Sequence, residues 1–137
     1  MALICDTGPL YAALDRMDTD HDACAGLLSE ATEPIVVPAP VVVELEWLAS
    51  GRVDPRAFLA FLSDVQAGQV LVAELEPADY RRINQLLERY SDLPLGFVDA
   101  AVLTVVERFG ERRLATLDYR HFSVVRPRHF ASLELVP

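Results

Sequence analysis

Ala2-Leu3-Ile4-Cys5-Asp6-Thr7-Gly8-Pro9-Leu10 opens the chain, and the order of residue types within it decides the fold. Four apolar residues form a run too short for a buried helix but right for a buried strand. A carboxylate follows directly. Thr7-Gly8-Pro9 then starts a helix to about Asp15, with proline in the first turn, where its missing N–H costs nothing. The unit is strand, acid, helix.

The same alternation runs outward to the end of the chain. Ile35-Val36-Val37, Val70-Leu71-Val72, Arg113 to Leu117 and Leu133 to Val136 read as further strands. Helical spacing covers Asp18 to Ala31, Pro40 to Ala49, Pro55 to Ala67, Pro77 to Tyr90 and Phe97 to Phe109, the last closed by Gly110 as a C-cap. The triplet Val41-Val42-Val43 suits a strand as well as a helix. Phe122 to His129, with Pro127, reads as an irregular connection. Alternating strands and helices predict an α/β domain, with a mainly parallel central sheet flanked by helices on both faces. No internal repeat or linker divides the chain, so residues 1–137 are expected to form one domain.

Composition narrows the function classes. Hydrophobic residues make up 52% of the 137, enough for a real core and too many for disorder. Charged residues interrupt every apolar stretch before it could span a bilayer, and the N-terminus lacks a basic segment leading into a long apolar one. A cytoplasmic protein is the expectation. Cys5 and Cys24 have no metal-type spacing and read as small buried hydrophobes. The net charge of −9 argues against a protein that coats nucleic acid. Its distribution is uneven: residues 107–129 carry six Arg against Glu107, Glu111 and Asp118. There is no lysine, and arginine's planar fork suits phosphate.

Four acids sit where folding alone does not call for them. Asp6 ends the first apolar run. Glu44 interrupts Val41-Val42-Val43 and Leu45. Asp99 lies between Phe97-Val98 and Ala100-Ala101-Val102. Asp118 follows Leu114-Ala115-Thr116-Leu117. A carboxylate among apolar neighbours loses water and takes up a proton unless cations or donors hold its charge. In an open α/β sheet the ligand crevice lies outside the strand C-terminal ends, where Asp6 and Asp118 belong. Asp99 falls in the first turn of a helix and Glu44 in the helix after the second strand, so all four can reach one edge. A divalent metal is the usual remedy for such mutual repulsion. Each acid also has a plainer use: Asp6 as an N-cap, Asp99 facing its helix dipole, Asp118 in a turn, Glu44 reaching solvent or an arginine.

The residues around these acids carry a resemblance. Ile4-Cys5-Asp6-Thr7-Gly8-Pro9-Leu10, Val41-Val42-Val43-Glu44-Leu45, Leu95-Gly96-Phe97-Val98-Asp99-Ala100-Ala101 and Ala115-Thr116-Leu117-Asp118-Tyr119-Arg120-His121-Phe122 resemble, in order, the four acidic motifs of PIN-domain ribonucleases. The likeness covers nearly the whole chain and is greatest to VapC-type toxins of bacterial toxin–antitoxin pairs. It implies a five-stranded parallel sheet in the order 3-2-1-4-5, with the first and fourth strands adjacent. It implies Mg²⁺ or Mn²⁺ held by Asp6, Glu44, Asp99 and Asp118. It also implies endonucleolytic cleavage of RNA, a homodimer, and inhibition by a cognate VapB-type antitoxin lying over a hydrophobic groove. Gly8 stands where the family often has serine.

Several other residues are candidates around that centre. Thr7 and Thr116 are expected as hydroxyls supporting the ligands. Arg112, Arg113 and Arg120 are candidate RNA contacts, with Arg126 and Arg128 as further phosphate partners. Asp92 falls near the third motif, in a surface turn or at the cleft rim. His121 and His129 show no ligand spacing and read as structural. The face Phe58/Phe61/Leu62/Val65, with Trp47 nearby, reads as core or as the antitoxin groove. Two other enzyme classes fit less well. An aspartyl phosphatase would need a second Asp two residues after Asp6, where Gly8 stands. An aspartic protease would be β-rich. A catalytically silent binding module of the same fold remains the non-enzymatic alternative.

Overall fold

The computed structural model describes all 137 residues, Met1–Pro137. Its elements in chain order are β1 (Leu3–Cys5), α1 (Thr7–Leu14), α2 (His21–Glu30), β2 (Ile35–Pro38), α3 (Ala39–Ala49), α4 (Pro55–Gln66), β3 (Val70–Ala73), α5 (Pro77–Arg89), α6 (Phe97–Phe109), β4 (Arg113–Ala115), α7 (Tyr119–Phe122) and β5 (Glu134–Val136). The five strands form one sheet in the order β3-β2-β1-β4-β5. All four pairings are parallel, as the sequence pattern and the resemblance both predict. β1 lies at the centre, and Leu3, Ile4 and Cys5 are fully buried. Parallel strands covered on both faces read as continuous apolar runs, which is how this one reads.

The helix starts follow from local chemistry. Asp54 caps α4 by accepting the Arg56 N–H at 2.9 Å, and Pro55 is the first helical residue. Asp79 in the first turn of α5 accepts the Glu76 N–H at 2.8 Å. Helix α6 is the buried one: Ala100 through Val106 are all inside. Its one buried hydroxyl, Thr104 Oγ1, donates to the Ala100 carbonyl at 2.8 Å. Gly110 ends α6 with φ of 67°, the left-handed conformation that favours glycine. The apolar face of α4 packs on the core: Phe61 is buried, and Phe58, Leu62 and Val65 are partly so. Trp47 on α3 does not join them and is 71% exposed.

Most boundaries shift by a residue, and three places differ by more from the sequence expectation. α2 begins at His21 rather than Asp18, because the Asp18 side chain folds back to accept the Asp20 N–H at 2.8 Å and holds a turn there. β4 stops at Ala115 rather than Leu117, because Thr116 is the last residue to donate to β5, through Val136 O at 2.9 Å. The chain then turns into α7, a single helical turn that the apolar periodicity does not register.

Candidate functional site

The pairing of β1 with β4 brings two of the four acids together. Cys5 lies opposite Ala115, and the Asp6 N–H continues the ladder to Ala115 O at 2.9 Å. Asp6 then leaves the sheet and caps α1, its Oδ1 accepting the Thr7 N–H at 2.8 Å. One hydroxyl joins it to Asp118: Thr116 Oγ1 donates to Asp6 Oδ2 at 2.8 Å and accepts the Asp118 N–H at 3.0 Å. Thr116 thus hydrogen-bonds to both acids through its hydroxyl. Thr7 contributes its backbone N–H instead, and its hydroxyl is buried without a partner. The close approach of α1 to the end of β4 also accounts for Gly8. A Cβ there would meet Leu117 Cβ at 3.2 Å, so any side chain would push on the segment carrying Asp118.

Asp118 caps α7. Its Oδ1 accepts the His121 N–H at 3.1 Å, and its Oδ2 meets His121 Nδ1 at 2.6 Å. The other ring nitrogen, Nε2, faces Leu93 O at 3.0 Å. A carboxylate and a carbonyl can only accept, so both ring nitrogens donate and the imidazole is held as the cation. The hydrogen bond to Asp118 accordingly raises the His121 pKa. Asp99, in the first turn of α6, accepts the Gly96 N–H at 3.2 Å. Ligand atoms of Asp99, Asp118 and His121 all lie within 4.8 Å of one another. Glu44 comes from α3 and is half-buried. Its negative charge bears on both Asp6 and Asp99.

Electrostatics at this edge are those of acids with a single cationic partner, His121 on Asp118. Asp6 is only 6% exposed, and burial pushes its pKa up to about 6, against the hydrogen bonds from Thr116 and Thr7 and with the charges of Asp99 and Glu44 adding to the rise. Burial also raises Asp99, and the Asp118 charge adds to it. No arginine lies within ion-pair distance of Asp6, Glu44, Asp99 or Asp118; the one cationic partner is His121. A set of carboxylates without arginine partners fits a hard divalent cation such as Mg²⁺ or Mn²⁺.

The arginines divide by position. Arg120 is exposed on α7, two residues from Asp118, and forms no ion pair. Arg112 and Arg113 are at the other end of β4, away from the acids. Arg113 pairs with Glu33, and Arg112 lies over the Phe130 ring at 5.9 Å. The strand direction thus puts Arg112 and Arg113 at the opposite end of β4 from Asp118. Arg126 and Arg128 are tied down by the Ala131 carbonyl and by Gln85. Asp92 lies in an exposed turn. His121 is the residue that sequence reasoning left as structural and that the structure puts in the cluster. Its signal was the spacing Asp118-x-x-His121, which returns a side chain to the helix cap it follows.

Comparison with known proteins agrees with this geometry. The PIN domain family matches residues 3–126. The chain is 34% identical to Ribonuclease VapC26 of Mycobacterium tuberculosis over 125 residues, 91% of this chain and 93% of that protein. Among solved structures, it is similar to M. tuberculosis VapC20, described as a sarcin-ricin loop cleaving toxin. That likeness has a TM-score of 0.75 and 20% identity, over 82% of this chain and 86% of the other. It is also similar to VapBC2 of Rickettsia felis, solved with a promoter DNA fragment, with a TM-score of 0.70, 15% identity and full coverage of both chains. FitAcB of Neisseria gonorrhoeae gives a TM-score of 0.61 at 16% identity, over 98% and 96% of the two chains. These three structures share the fold.

Proposed function

This chain belongs to the PIN-domain family, and on that premise we propose that it is a divalent-metal-dependent endoribonuclease, the toxin of a toxin–antitoxin pair. The observation that carries the reading is the gathering of Asp6, Glu44, Asp99 and Asp118 at the sheet's C-terminal edge with no arginine to neutralise them. These four would hold the ion. When bound, Mg²⁺ or Mn²⁺ supplies a Lewis acid for the phosphoryl oxygen and lowers the pKa of the attacking water. The chain's own residues set the geometry. Thr116 fixes the spacing of Asp6 and Asp118 by hydrogen-bonding to both, and the Thr7 N–H sets the Asp6 rotamer. Arg120, exposed and unpaired beside Asp118, is placed to meet a backbone phosphate.

The same reading assigns partners. A VapB-type antitoxin has a candidate seat in an open apolar groove of about 540 Å³, lined by Leu10, Leu14, Ala25, Leu28 and Phe61 from α1, α2 and α4. A second copy of the chain has a candidate face on α3, where Val43 and Trp47 are each 71% exposed one turn apart. No helix is long and apolar enough to cross a membrane. A single domain working on RNA in the cytoplasm completes the proposal.

The test is cleavage of total cellular RNA in Mg²⁺ by purified wild type, Asp6→Asn and Asp99→Asn, with circular dichroism as the folding control. Loss of cleavage in folded variants is expected, because the ligands stabilise charge that develops at phosphorus. Cleavage at wild-type level by either variant would overturn the shared centre.

A further inference from the structure

Both oxygens of Asp118 are held by one residue. The His121 backbone N–H caps Oδ1 at 3.1 Å, and the His121 ring takes Oδ2 at 2.6 Å. The cap alone satisfies the helix end, so the ring is not needed to start α7. Its far nitrogen reaches the Leu93 carbonyl at 3.0 Å, in the connection between α5 and α6. That connection leads directly into Gly96, whose N–H holds Asp99. One imidazole thus bridges the two segments that deliver Asp99 and Asp118. Both segments are anchored beside it, by Phe122 at 1% exposure and Leu95 at 8%. The bridge therefore spans fixed points rather than two loose loops.

We infer that His121 is a positioning residue: its ring, braced on the Leu93 carbonyl, locks the Asp118 carboxylate and so tunes the affinity of the centre for its metal. The inference rests on the proposed metal centre. Carboxylate ligands are oriented by the groups that hydrogen-bond to them, and removing such a partner typically weakens metal binding or activity by about 10–100-fold. Without the ring, Oδ2 of Asp118 would be free to rotate about a cap that holds only Oδ1. His121 need not touch the ion or the RNA for this effect.

Three substitutions separate the parts of the bridge. His121→Ala removes both contacts. His121→Asn places an amide N–H where Nδ1 was and keeps the bond to Asp118. His121→Gln places its amide near Nε2 and keeps only the reach toward Leu93. Manganese affinity is measured for all three by isothermal titration calorimetry, beside thermal melts in EDTA and steady-state cleavage of RNA. His121→Ala and His121→Gln are expected to lose about 10–100-fold in Mn²⁺ affinity, with His121→Asn recovering most of it. Rate should fall through kcat at fixed Mn²⁺ while KM for RNA stays near wild type, since the ring lies behind the ligand. A purely structural role would instead make affinity follow the melting temperature across the three variants, and that outcome would overturn the inference. So would Mn²⁺ affinity in His121→Ala within twofold of wild type, or His121→Asn falling as far as His121→Ala. If His121→Ala does not fold, the contrast between the Asn and Gln variants decides the same question. Absence of Mn²⁺ binding by wild type would overturn the metal centre, and this inference with it. Binding by wild type without the Asn–Gln contrast would overturn this inference alone.

Discussion

Replacing Asp6 by Asn should stabilise the metal-free protein at neutral pH and destabilise it in acid. In the unfolded chain this carboxyl loses its proton near 3.8, whereas burial holds it in the fold until about 6. Between those values the native state binds more protons than the unfolded one, so stability falls as pH rises through the window and is level above it. The full cost of the buried charge above pH 6 is about 3 kcal/mol, from the rise to about 6 and about 1.4 kcal/mol per pKa unit. Asparagine removes that cost. It keeps the cap, because its carbonyl can still accept the Thr7 N–H. It loses one bond: Thr116 Oγ1 now donates to Asp6 and accepts from the Asp118 N–H, and opposite an amide N–H₂ it has nothing to donate to. An unsatisfied hydroxyl costs about 1 kcal/mol. The net gain at pH 8 is about 2 kcal/mol, or about 7 °C in melting temperature for a chain of this size. Near pH 3.5 only the cost survives, and wild type should be the more stable by about 1 kcal/mol. Thermal melts in EDTA from pH 3.5 to 8 test both signs. Millimolar Mn²⁺ should then reverse the order at pH 8, because binding at 100 times Kd adds about 2.7 kcal/mol to wild type and little to the variant. A variant no more stable than wild type at pH 8 in EDTA would refute the buried, unpaired charge on which the metal centre rests.

Two further outcomes test the rest of the molecule. Arg82 and Glu107 form a bidentate pair at 2.7 and 2.9 Å between α5 and α6, with side chains only 11% and 9% exposed. Arg82→Ala should cost about 3 kcal/mol in urea unfolding by stranding a buried carboxylate, while Arg82→Met with Glu107→Leu should cost far less. Arg120→Ala should weaken RNA binding and lower the slope of log affinity against log salt by about one, whereas Arg113→Ala, at the other end of β4, should leave that slope unchanged in filter-binding titrations.

The fold was legible because its signals are local and repeated. Each strand is a short apolar run, and each long helix has a spaced apolar face with a Pro, Asp or Gly at an end, so the alternation gave the α/β class before any contact was known. Boundaries were less legible where a side chain competes with the backbone. Asp18 takes the N–H of Asp20 and delays α2, and Thr116 takes the N–H of Asp118 and ends β4 early. Neither bond leaves a trace in hydrophobic periodicity.

The acids and the histidine show why one half of the site could be read and the other could not. A carboxylate inside an apolar run contradicts its surroundings, so Asp6, Glu44, Asp99 and Asp118 announce themselves one by one. A histidine on a polar surface turn contradicts nothing. His121 acquires meaning only when the Leu93 carbonyl, 28 residues earlier, arrives on its far side. The arginines divide for a related reason. Arg112, Arg113 and Arg120 look alike as a basic stretch, but β4 runs between them and separates them by its length. Arg113 is spent on Glu33 at one end of the sheet, while Arg120 stays unpaired at the other. Sequence proximity groups residues, and strand direction then decides which of them share a site. In a parallel sheet only those beyond the C-terminal end of the strand face the crevice. That rule keeps Arg120 with the acids and puts Arg112 and Arg113 at the far end of the strand.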